Sequence, residues 1–116
     1  MGLQGKIWRP PTDVYETADA IVVRVEVAGM EERDFNVDLE RRTLTISGRR
    51  LDRSGAKIAY QQMEVSYGDF RTEVYLPWPI NQAQVEATYR DGFLIIVLPK
   101  ANAWRVPIAN LSRELP

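Results

Sequence analysis

The stretch Ala87-Thr88-Tyr89-Arg90-Asp91-Gly92-Phe93-Leu94-Ile95-Ile96-Val97-Leu98-Pro99-Lys100 holds two strand signals and the turn that joins them. Val85, Ala87 and Tyr89 alternate with Glu86, Thr88 and Arg90, the period of two of a half-buried strand. Asp91-Gly92 follows at once. A two-residue hairpin of this kind needs positive φ, which glycine adopts freely, so Gly92 is expected to be a structural turn residue. The run 93–98 is apolar on both faces and is predicted to be a strand covered on both sides. A buried helix is disfavoured there because Pro99 stops a run that is already too short.

The same period recurs on either side. Ile21, Val23, Val25 and Val27 share a face opposite Arg24 and Glu26. Phe35, Val37 and Leu39 alternate with Asn36, Asp38 and Glu40, and Leu44 and Ile46 with Thr43, Thr45 and Ser47. Phe70, Thr72, Val74 and Leu76 oppose Arg71, Glu73 and Tyr75. Arg41-Arg42 reads as a second tight turn, and residues 30–34 as one helical turn. Residues 51–60 form a polar loop, long for a hairpin. About seven to nine short strands with regular turn signals imply an all-β, antiparallel, immunoglobulin-like β-sandwich. Residues 1–10 read as a short arm, 11–100 as the one domain, and 101–116 as a tail.

Composition narrows the chemistry. The 116 residues carry 15 Lys+Arg against 16 Asp+Glu, a net charge of −1. That balance does not suit a dedicated nucleic-acid binder. Arg41-Arg42, Arg49-Arg50 and Arg53 read better as charges guarding a sheet edge. With no Cys and no His, thiol catalysis, zinc–thiolate sites and the commonest general base are all excluded. The acidic group Glu31, Glu32 and Asp34 lies on a polar turn that offers nothing to raise a carboxyl pKa. The remaining aspartates are scattered singly. No catalytic, cofactor-binding or metal-ligating set is expected. No stretch has the length of a membrane helix, and nothing asks for an oxidising compartment, so a cytoplasmic protein with neither membrane nor nucleic-acid partners is expected.

Val106-Pro107-Ile108 lies beyond the last strand. Pro107 holds the segment extended, so Val106 and Ile108 point the same way. Two readings stay open: a tail folded onto its own sheet, or an anchor for a groove on a neighbouring subunit.

Together these residues resemble the small heat-shock protein family, which is built on the alpha-crystallin domain. Residues 87–100 are similar to the family's A-x-x-x-n-G-v-L signature with its Pro-Lys end, and Val106-Pro107-Ile108 to its I-x-I/V tail motif. Pro11-Thr12-Asp13-Val14-Tyr15-Glu16 is similar to the family's domain opening. The chain departs from the family pattern at Ala28, where Pro is usual, and at Thr72, where Arg is usual. The resemblance implies an ATP-independent holdase, not an enzyme, that needs no cofactor and binds unfolding client proteins to prevent aggregation. It implies a homodimer in which the loop carrying Leu51, Ile58 and Tyr60 swaps onto the partner, with higher oligomers built through the tail. It also implies that Val106 and Ile108 dock in a groove, expected at Val37, Leu39, Val74 and Leu76. The alternative is a monomeric adaptor resembling the p23-like co-chaperone domain, which binds one defined partner.

Overall fold

The computed structural model describes residues 6–101. They form seven strands: β1 (Thr12–Glu16), β2 (Ala20–Glu26), β3 (Phe35–Glu40), β4 (Thr43–Arg50), β5 (Gly68–Tyr75), β6 (Glu86–Arg90) and β7 (Phe93–Pro99). Short 3-10 turns cover Glu32–Asp34 and Gln82–Gln84. A four-stranded sheet in the order β1-β2-β7-β6 packs on a three-stranded sheet in the order β3-β4-β5, with antiparallel pairing throughout.

The alternation read from sequence decides which side chains meet between the sheets. Ile21, Val23 and Val25 of β2, Val27 just beyond it, and Leu94, Ile96 and Leu98 of β7 face Leu44 and Ile46 of β4 and Phe70 and Val74 of β5. All are buried. Each fully buried aliphatic side chain here contributes roughly 1.5–3 kcal/mol. Thr72 is the one buried polar residue among those described. The Thr12 hydroxyl, which donates to the Pro10 carbonyl at 2.8 Å, stands 3.1 Å from the Thr72 hydroxyl. The position where the family usually has Arg is therefore a small side chain within the core.

Two sequence expectations need correction. β7 is central in its sheet but is covered on one face only. Its inward residues are sealed, while Phe93 is exposed and Ile95 and Val97 are half-buried on the outer face. Arg24 of β2 and Thr88 and Arg90 of β6 border Phe93 and Ile95 on this face and leave it partly open. β1 was not legible as a strand, because only Val14 and Tyr15 are apolar and all of its residues but Thr12 are exposed. It forms by pairing with β2, from Thr12↔Val25 to Glu16↔Ile21.

The β6–β7 hairpin takes the expected form, with φ of 54° at Asp91 and 85° at Gly92. A Cβ on Gly92 would lie 3.3 Å from the Ala28 Cβ. Gly92→Val is expected to lower stability by about 2 kcal/mol, since a β-branched residue resists left-handed φ. Gly92→Asn is expected to lose much less. Thermal melts of the two variants side by side check this; equal melting temperatures would refute it.

Candidate docking edges

Among the described residues, β1, β3 and β6 each have one edge with no strand partner, and beyond the β5 edge lies only the Trp8 bridge to Phe70. On one side of the sandwich β3 faces β6, and on the other β5 faces β1. A strand edge presents free N–H and C=O groups that another chain can use. The two sides are treated differently.

Between β3 and β6 the described residues leave the sheets unsealed. Phe35, Val37 and Leu39 all point inward, in register with Gly48, Ile46 and Leu44. Yet Val37 keeps 36% of its surface exposed. A depression of about 200 Å³ opens there, with Phe35, Val37 and Glu32 on one wall and Ala87, Tyr89 and Leu94 on the other. Small Ala87 leaves the space. Tyr89 closes one end of it: its hydroxyl donates to the Val27 carbonyl at 2.8 Å and accepts from the Met30 N–H at 3.3 Å, and its ring lies 4.9 Å from that of Phe35.

The groove assignment therefore changes. Val37 and Leu39 do lie on the β3 edge. Val74 and Leu76 do not face them across a groove: Val74 belongs to β5, which β4 separates from β3, and Leu76 follows directly after it. Both are buried in the core. Alternation shows which residues point inward but not which strands are sheet neighbours, and the second wall comes from β6.

On the other side, residues 8–12 bridge the gap. The Trp8 N–H donates to the Asp69 carbonyl at 3.1 Å, and the Arg71 N–H donates to the Trp8 carbonyl at 3.0 Å. The outer edge of β1 is unpaired among the described residues, with Val14 and Tyr15 exposed beside it. At the end of β1, Glu16 accepts from Lys100 Nζ at 2.8 Å and Trp78 Nε1 at 2.9 Å. The Lys100 hydrogen bond, then that of Trp78, holds the Glu16 carboxyl below its ordinary pKa. This clamp fixes the root of the segment that continues past Ala101.

The loop after β4 is longer than the sequence suggested. It runs over residues 51–67, joins β4 to β5 with no strand of its own, and exceeds the length at which a structureless connection is ordinary. Leu51, Ile58 and Tyr60 are all exposed on it, as are Met63 and Val65. Arg50 ties its base. The guanidinium donates to the Ser66 carbonyl at 2.6 and 3.0 Å and to the Ala28 carbonyl at 3.1 Å, and it lies 4.5 Å over the Trp8 ring. Sequence reading missed Arg50 in this role, because a charge at a strand end looks the same whether it is solvated or stacked. Val106 and Ile108 lie outside the described residues.

Residues 13–108 match the Hsp20/alpha crystallin family. The chain is 33% identical over 92 residues to small heat shock protein C2 of Rickettsia felis, covering 78% of this chain and 60% of that one. It is 31% identical over 100 residues to a probable 15 kDa heat shock protein of Leptospira interrogans, covering 82% and 72%. Among solved structures, a small heat-shock protein from Xylella fastidiosa superposes with a TM-score of 0.76 at 26% identity, covering 88% of this chain and 94% of that one. Heat shock protein 16.0 from Schizosaccharomyces pombe does so with 0.73 at 29%, covering 80% and 87%. A sandwich with this strand order, a long loop after β4 and the Gly92 hairpin thus meets a match over most of its length, and the chain belongs to the Hsp20/alpha crystallin family.

Proposed function

We propose that this protein is an ATP-independent holdase of the cytoplasm, which covers apolar segments of unfolding clients and keeps them from aggregating. The observation that carries the reading is the β3–β6 side, where among the described residues inward-facing Val37 remains open beside two unpaired strand edges. Such an edge accepts an extended apolar segment of almost any sequence, because backbone groups supply the hydrogen bonds and a shallow groove takes alternate side chains. No bond needs to be made or broken there. Family membership and heat-shock relatives support the same reading.

In this reading the chain works as a homodimer, with the 51–67 loop of each subunit reaching the open β1 edge of the other. Larger assemblies form when Val106 and Ile108 enter the Val37, Leu39 and Ala87 groove of a neighbour. Burying two aliphatic side chains contributes roughly 3–6 kcal/mol, and ordering the tail offsets much of it. One contact is then weak, and several per assembly hold by avidity. A monomeric p23-like adaptor would have no use for a 17-residue apolar-tipped loop.

Heating an aggregation-prone enzyme with a stoichiometric amount of this protein, without nucleotide, is expected to suppress light scattering strongly. Scattering equal to that of the enzyme alone would overturn the holdase reading.

A further inference from the structure

The 51–67 loop is built inside out. Its apolar side chains Leu51, Met63 and Val65 are more than half exposed, and Ile58 at 105% is as open as in an extended peptide. An ion pair on it is partly sheltered: the Asp52 and Lys57 side chains keep 22% and 32% of their surface exposed, while Arg53 and Glu64 stay open to water. Four groups converge on the Asp52 carboxylate. The Ser54 N–H donates to Oδ1 at 3.0 Å and the Ser54 hydroxyl donates to the same oxygen. Lys57 Nζ lies 2.9 Å from Oδ2 and the Tyr60 hydroxyl donates to it at 3.3 Å. Lys57 also donates to the Gly55 carbonyl at 2.9 Å and sits 5.9 Å over the Tyr60 ring. The Ser54 hydroxyl, then Lys57, holds the Asp52 carboxyl far below the usual carboxylate range.

Exposed ion pairs contribute little on their own, so three donor residues gathered on one carboxylate serve to hold the loop in one shape while its aliphatic residues face water. The arrangement makes sense if the outward side is meant to be covered by another surface. We infer that Asp52 is the positioning residue of a preformed hook, which holds Ile58 and its apolar neighbours ready for a second copy of this chain. This rests on the dimer reading above and adds to it a cause of affinity. The residues around Asp52 are ordered before the subunits meet, so association need not supply that ordering.

Sedimentation of the full chain over a concentration series tests this. Asp52→Asn is expected to weaken the dimer about tenfold, or about 1.4 kcal/mol, with the melting temperature of the sandwich unchanged. Lys57→Gln is expected to weaken it similarly, and the double variant little further, because both act through one cluster. Asp52→Glu should recover part of the loss. Raising salt to about 1 M, where the Debye length is about 3 Å, should weaken the native dimer but barely affect the Asp52→Asn dimer. A native chain that stays monomeric throughout would overturn the dimer reading itself. A native dimer with an unaltered constant in Asp52→Asn and Lys57→Gln would overturn the role of Asp52 alone.

Discussion

Gly48→Ala is expected to lower stability by about 3 kcal/mol or more, a fall on the order of 15 °C in melting temperature, and Gly48→Val to leave no folded protein. Gly48 is inward-facing on β4, in register with Phe35 on one side and Phe70 on the other. A Cβ built there would stand 2.7 Å from the Asp34 carbonyl oxygen and 2.7 Å from Phe70 Cζ. The first is backbone, held by the turn that leads into β3. The second belongs to a fully buried ring wedged by Trp8 at 5.4 Å and Phe35 at 6.1 Å. Neither can retreat, because the interior is close-packed. Domains of this size hold only about 5–15 kcal/mol in total, so forcing Phe70 out removes much of what exists. Thermal melts followed by circular dichroism check the outcome, and a Gly48→Ala melt within two or three degrees of the native protein, about half a kcal/mol, would refute it.

The contrast between Gly48 and Gly92 shows what a sequence can disclose. Gly92 was legible, because Asp-Gly between alternating runs has a local conformational reason. Gly48 was not, since its reason is a ring packed from another strand. The same division runs through the whole fold. Inward and outward faces of β2 through β6 follow from period two, and hence much of the core; the six apolar residues of β7 carry no alternation, so which of them point inward was not legible. Strand neighbours do not follow from it either: the match to the family's strands put Val74 and Leu76 beside Val37, whereas the register places β4 between β3 and β5 and makes β6 the second wall. The loop residues Leu51, Ile58 and Tyr60 were chosen by resemblance and are exposed on it. The Asp52 cluster around which they turn left no signal, because Asp, Ser and Lys in a polar loop are ordinary composition.

The largest effect on assembly is expected from Val106→Ala combined with Ile108→Ala. Five methyl or methylene equivalents are removed, at about 0.8 kcal/mol each, or about 4 kcal/mol for each docked tail. That is roughly a thousandfold loss per contact, enough to dissolve any assembly held by several such contacts, since avidity multiplies the loss. The product should be a dimer with an unchanged melting temperature, because the buried core cluster of the described residues runs from Ile21 to Leu98. Filling the groove should act from the opposite side. Ala87→Trp places a large ring where the small side chain leaves room beside Val37, and the same dimer should result. Leu76→Ala separates this assignment from one that would use β5. It empties a fully buried core position, so it should lower the melting temperature by the equivalent of about 2–5 kcal/mol and leave the assembly of the folded fraction alone. Light scattering coupled to size exclusion reads all three variants. Tail variants that keep the native mass would refute the anchor, whereas loss of assembly in Leu76→Ala alone would move the groove back to β5.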